Sequence, residues 1–180
     1  MMSVFDVRVE TERLLLRPPT AEDFAAFCAF SADAETMHHL GGVQAPSVVW
    51  RGLATMVGSW QLQGFAMFSV IEKRSGQWIG RVGPWQPHGW PGTEVGWGIA
   101  RAFWGQGYAP EAATASIDWA FAQLGWSEVI HVISPDNANS KAVAGKLGSR
   151  YQRQDRLPEP LQALEVEVWG QSRAQWQARR

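Results

Sequence analysis

Between residues 100 and 112 the chain reads "ARAFWGQGYAPEA", with Gly105 and Gly107 one residue apart just before a helix-like run. Glycine weakens a helix start unless the backbone must bend sharply or lie close to another group. The first amides of a helix lack intrahelical acceptors and the helix dipole is positive there, so such a loop suits a phosphate or another anion. A tight strand–helix turn with no ligand would account for the glycines equally. The dinucleotide pattern Gly-x-Gly-x-x-Gly fails at Pro110, and the nucleotide P-loop fails because no Lys-Ser/Thr follows. An anion held here belongs to a different class of ligand.

Other residues with chemical potential are spread along the chain. Glu94 opens "TEVGWGIA", where it can either take a proton or face solvent. His131 sits inside the alternating strand "SEVIHVISP" and reads as a packed or hydrogen-bonded histidine, while His88 reads as loop surface. His38 and His39 are adjacent and would project about 100° apart on a helix, a poor metal pair, so no metal is expected. Cys28 is the only cysteine. It lies in the apolar run "DFAAFCAF", reads as packing, and excludes an intrachain disulfide, which fits a reducing, cytoplasmic setting.

The elements that must position these groups follow from periodicity. "ERLLLRP" is a short strand ended by prolines, and "TAEDFAAFCAFSAD" is a helix opened by a Thr20–Asp23 capping pair. Residues 47–61 form a second helix. "GFAMFSVIEKRSGQWIGRVGPW" gives two strands around Ser75-Gly76, the first apolar on both faces as a central strand should be. In the next strand, Gly96 and Gly98 imply a bulge or a close approach. "PEAATASIDWAFAQLG" is the clearest helix, with Pro110 in its first turn and Gly125 past its last. A strand over "SEVIHVISP" follows, then a helix over "NSKAVAGKLG" capped by Asn139 or Ser140. Two closing strands follow, and a polar tail over about 171–180 is expected to fray. The result is one α/β domain over residues 1–180, antiparallel in its first half and with local parallel crossovers after residue 93.

Totals narrow the class. The 16 basic and 17 acidic residues give a net charge of -1, without the positive excess of a nucleic-acid binder, so a nucleic-acid partner is not expected on charge. No run approaches the roughly 20 apolar residues of a membrane span. Eleven tryptophans are many for this length, enough both to fill a core and to line a cleft.

The run "TEVGWGIARAFWGQGYAPEA" resembles the acyl-CoA-binding core of the GNAT superfamily of N-acetyltransferases, and most closely the ribosomal-protein N-terminal acetyltransferase branch. "TERLLLRP" looks like that branch's opening strand, and "SPDNANSKAVAGKLGSRY" resembles its Asn-x-x-Ser helix and Leu-Gly-aromatic segment, with Asn137 and Ser140 at the Asn-x-x-Ser spacing. Departures are Trp104 at the usual Arg or Gln, Ser149 after Leu147-Gly148, and Tyr151 two residues late. The resemblance spans roughly residues 11–170. It implies a central mixed sheet of six to seven strands flanked by about four helices. The fourth and fifth strands, here Glu94–Ala100 and Glu128–Ser134, would be splayed so that pantetheine lies between them like an added strand.

The resemblance further implies that acetyl-CoA is the co-substrate and that its pyrophosphate is held by Trp104, Gly105, Gln106, Gly107, Tyr108 and Ala109. Asn137 and Asn139 would lie along its arm, and main-chain N–H groups at Trp97, Gly98 and Ile99 would polarise the thioester carbonyl. Glu94 is the candidate base. Many superfamily members carry an acid Tyr where this chain has Ala144, and the branch points instead to Ser140 beside the CoA sulfur. The expected activity is direct acetyl transfer to a primary amine, a small molecule or a protein N-terminus, by an enzyme that pairs as a dimer in many relatives. A non-catalytic acyl-CoA-binding or regulatory protein is the alternative.

Overall fold

Polar pairing pins the first elements. The computed structural model describes residues 3–180, and in it the opening strand spans Leu14–Arg17 (β2) after a two-residue strand, Val9–Glu10 (β1). Arg17 at the end of β2 meets buried Asp23 through two hydrogen bonds of 2.7 and 2.8 Å. The Thr20 amide and the Ser69 hydroxyl also donate to Asp23, at 2.9 and 2.7 Å. The carboxylate is thus fully bonded, its acidity enhanced despite burial, and it fixes where the first helix, Phe24–Ala32 (α1), begins. A short helix, Ala34–Met37 (α2), and a long one, Pro46–Gln63 (α3), follow.

Strands Phe68–Glu72 (β3), Trp78–Trp85 (β4) and Glu94–Ile99 (β5) then form an antiparallel run. The helix after the glycine loop covers Tyr108–Trp119 (α4), continues as a π-helical turn over Ala120–Leu124, and stops at left-handed Gly125. Strand Glu128–Ile133 (β6), helix Ala138–Leu147 (α5), strands Arg150–Arg156 (β7) and Glu165–Ser172 (β8), and helix Arg173–Gln177 (α6) complete the chain. The sheet has eight strands in the order β1-β2-β3-β4-β5-β6-β8-β7. Neighbours are antiparallel except β5 and β6, which are parallel and share a register at a single pair, Glu94 opposite Ile130.

Three expectations need correction. The sheet gains β1, whose two residues are too few to show a period. The helices gain α2 and α6, both too short for an apolar stripe. The C-terminal segment does not fray but ends β8 and forms α6, where Trp176 is buried and its indole N–H donates to Asp118 Oδ1 at 2.7 Å.

Where Gly96 and Gly98 suggested a bulge, β5 pairs with β4 without a break; register shifts lie instead between β3 and β4 at Val70/Ile71 and between β7 and β8 at Tyr151/Arg153. Both glycines answer to close packing. A Cβ on Gly96 would sit 2.7 Å from Met67 Cε, and one on Gly98 would sit 3.1 Å from Phe30 Cζ. In the β4–β5 register Trp85 lies opposite Glu94, Gly83 opposite Gly96, and Arg81 opposite Gly98. Directly paired residues point to the same side, so these six share one face of the sheet. The core includes an aromatic cluster of Trp60, Phe68 and Trp119, with ring centroids 5.2 to 5.8 Å apart.

Candidate active site

Gly105 and Gly107 both take left-handed backbone conformations, at φ 72° and 79°, and Gly107 is the N-cap of α4. Only glycine adopts this without strain. From Gly105 through Ala109 the backbone amides meet no acceptor among the described residues; pairing resumes with Glu111 N–H to Gly107 O at 3.2 Å. Five successive unpaired backbone donors at a helix N-terminus are a loop chemically suited to a bulky anion. Arg13 of the β1–β2 turn holds the loop from outside, donating to Gln106 O at 2.9 Å and to Glu111 Oε2 at 2.7 Å. Its guanidinium also lies over the Tyr108 ring. The loop borders a cavity of about 360 Å³ that Trp97, Gly98, Ile99, Trp104, Gly105, Gly107, Tyr108, Ala109, Asn137, Asn139 and Ser140 help to line. Trp104 lines it while remaining exposed, its indole N–H donating to Ile99 O at 2.6 Å.

The cavity runs from the C-terminal half of β5 to α5, beyond the point where β5 and β6 part. Ala100 N–H donates to Ile79 O on the β4 side, whereas Thr93 O accepts from Ile130 N–H on the β6 side. By strand alternation the amides of Trp97 and Ile99 face the gap, and that of Gly98 faces β4. At the β6 side Trp97 Nε1 donates to Ser140 Oγ at 3.3 Å, which leaves the serine's own proton free. Helix α5 is capped by Asn137, whose Oδ1 accepts from Ser140 N–H at 3.0 Å. The cap is therefore Asn137 rather than Asn139 or Ser140. The serine sits at the third position of the helix with its hydroxyl turned to the cleft.

A second cavity of about 350 Å³ adjoins the first, the two sharing His39, Leu40, Trp97, Asn137 and Ser140. Glu94 stands in it, 5% exposed. Its carboxylate accepts from Trp90 Nε1 at 2.6 Å and from Val132 N–H at 3.1 Å. Burial outweighs these bonds and the nearby positive charge of Arg81, so the carboxyl pKa is pushed up to about 7. A carboxyl poised at neutral pH beside a cleft is suited to accept a proton.

Most of the expected residues converge here. Gln106 is set apart: its side chain turns back to Ala102 O and does not line the cavity. His131 is buried, its Nδ1 2.7 Å from Val95 O and its Nε2 2.9 Å from Ser149 Oγ. Burial drives its pKa down to about 4, so it is neutral at physiological pH, and it forms part of the wall of the second cavity. His88 is exposed and lines neither cavity, and Cys28 packs partly buried against the core. His38 and His39 do not diverge, because α2 ends at Met37. Their rings meet edge to face at 4.4 Å, with Asp136 Oδ1 3.5 Å from His39 Nδ1. Ala144 is fully buried and faces neither cavity, whereas Ser140, one turn earlier, lines both. Sequence reading passed over Arg13, Arg81, Trp85 and Trp90. The available signal was a lone cation inside the otherwise apolar β4.

Residues 13–150 match the family described as the acetyltransferase (GNAT) domain. The chain is 35% identical over 92 residues to YkkB of Bacillus subtilis, a match covering 50% of this chain and 54% of that protein, so this alignment spans about half of YkkB's length. It is 31% identical over 135 residues to the uncharacterized N-acetyltransferase p20 of Bacillus licheniformis, covering 72% of this chain and 75% of p20. The crystal structure of an acetyltransferase from Agrobacterium tumefaciens superposes with a TM-score of 0.82 at 29% identity, covering 93% of this chain and 95% of that one.

Proposed function

Because the chain belongs to the GNAT acetyltransferase family and is an acyltransferase, we propose that it moves an acetyl group from acetyl-CoA to a primary amine by direct attack in a ternary complex. The observation that carries this reading is the meeting of two cavities at Trp97 and Ser140, one edged by five free amides and the other holding a carboxyl poised near neutral pH. The free amides and the left-handed glycines fit a CoA pyrophosphate, and Asn137 and Asn139 flank the path toward the junction. Bound there, acetyl-CoA would supply an acetyl group activated as a thioester, with the CoA thiolate as leaving group.

The chain's own residues divide the remaining work. Glu94 takes a proton from the incoming ammonium or amine, directly or through one water. The amides of Trp97 and Ile99 point into the gap and stabilise negative charge developing on the carbonyl oxygen, as an oxyanion hole does. The Ser140 hydroxyl, held by the Trp97 indole, has a proton to give to the departing sulfur. A thiol pKa of about 8.5 also lets the sulfur leave without help. The inward position of Ala144 supports Ser140 over that position as the donor. The sequence blocks that resemble the ribosomal-protein N-terminal branch support a place near it.

Calorimetric titration of the purified chain with acetyl-CoA is expected to show one saturable site; no heat at millimolar ligand would sink the reading. Thiol release across a panel of amines separates an enzyme from a non-catalytic acyl-CoA binder, which would bind without any acceptor-dependent turnover.

A further inference from the structure

The acceptor cavity contains a cation that the transfer chemistry does not use. Arg81 comes from the middle of β4 and shares the sheet face of Glu94 and Trp85. Its guanidinium lies 5.9 Å over the Phe27 ring, and Nη1 donates to Met67 Sδ at 3.0 Å, a weak acceptor. Its Nε is fully buried and meets no acceptor, and among the described residues no carboxylate lies within ion-pair distance of it. Burial lowers its pKa from the usual value. The charged group that acts on it is Glu94, which burial biases to the neutral form, so this partly buried guanidinium lacks a direct anionic partner, and arginine is the side chain best shaped to grip a carboxylate through two parallel bonds.

The other acid lining this cavity, Glu165, is already bonded to Arg156 Nη2 at 2.9 Å. Glu94 is engaged by Trp90 and Val132 and inclines toward Gly96, its Oε1 3.2 Å from where a Cβ on that residue would be. Gly96 is two residues along β5 from Gly98, the partner of Arg81, a separation of about 7 Å along a strand. A carboxylate and an amine on one small molecule can therefore face Arg81 and Glu94 together. The walls beyond are apolar: Trp85 and Trp90 stand edge to face at 6.5 Å, with Leu161 and Leu164 on the outer side.

We infer that the acceptor is an amine with a carboxylate of its own, an amino acid with an apolar side chain, whose carboxylate pairs with Arg81 while its nitrogen faces Glu94. This deepens the transfer reading and rests on it. Arg81 selects against the amino group of a protein N-terminus, which carries a neutral peptide carbonyl at the same place.

Acetyl-CoA turnover by the full chain is to be compared on L-phenylalanine, L-phenylalaninamide and phenethylamine, and likewise on leucine and its amide. A charge-assisted pair predicts kcat/KM for the free acid above that for the amide by about tenfold or more. Arg81→Gln is expected to bring that ratio close to one, and Arg81→Lys to keep part of it. Equal or better use of the amide by the wild-type chain overturns the inference without touching acetyl transfer, and this comparison needs no variant to fold. Should no amine turn over, the transfer reading itself fails. Calorimetry of N-acetyl-L-phenylalanine against its amide on CoA-saturated protein then still decides the role of Arg81. Tighter binding of the acid that is lost in Arg81→Gln supports it, and equal binding of acid and amide refutes it.

Discussion

At the scale of single residues, Glu94 carries the clearest consequence. Its carboxyl is held near pH 7 by burial, so the neutral form is the one the fold prefers. The stability from this group is full below the ordinary carboxyl pKa of 4.5 and is lost as pH rises toward 7. Glu94→Gln is therefore expected to be more stable than wild type at pH 8, by on the order of 2–3 kcal/mol, and to show no such gain at pH 4. Urea melts at the two pH values measure this. The same substitution should cut kcat/KM by about a hundredfold or more and remove the limb near neutral pH from its profile. A retained limb would assign the base elsewhere. Glu94 was legible as a candidate because it opens a glycine-interrupted strand. Arg81 was not, because its meaning comes from a partner across the ladder and from what fails to pair with it. Trp104, the departure from the family motif, is explained by its indole bond to Ile99 O, which uses one end of the side chain to close the loop onto β5.

At the scale of elements, the glycine loop and α4 act as one unit, clamped by Arg13 and Glu111. At Gly107 a Cβ would meet nothing closer than Arg13 Nη2 at 3.5 Å, so the obstacle to a side chain is the backbone angle, not space. Gly107→Ala is expected to destabilise the chain by about 1–2 kcal/mol and to weaken acetyl-CoA binding as the amides lose their aim. A thermal melt and a titration check the two halves of that statement; unchanged affinity would remove the cradle from the site. The helices with stripes and caps, α1, α3, α4 and α5, were legible in the sequence, as were the strands with alternation. The start of α5 was misplaced because "DNANS" offers four capping residues, and only the turn before the helix selects Asn137. The fate of the tail was illegible for a different reason. Trp176 docks through Asp118 of α4, a contact between residues 58 apart.

At the scale of the whole molecule, the one sheet has two antiparallel parts, β1 to β5 and then β6, β8 and β7, joined through one parallel pair. The order of strands suggested parallel crossovers after residue 93, but only β5 and β6 are parallel neighbours, because β8 inserts between β6 and β7; the resemblance implied the splay. The feature reaches beyond the site. Amides in the middle of a broad sheet ordinarily exchange with solvent deuterium only when the protein opens, and those of ladder strands are among its slowest. Here the amides of Trp97 and Ile99 face an unladdered gap, so in the free chain they should exchange rapidly between two well-protected neighbours. Acetyl-CoA should slow these two amides far more than those of β4 or β8. A uniform protection pattern in the free protein would mean that the sheet zips shut in solution. With the gap open, the seam behaves as a clock whose exchange starts when the donor leaves and stops when it returns.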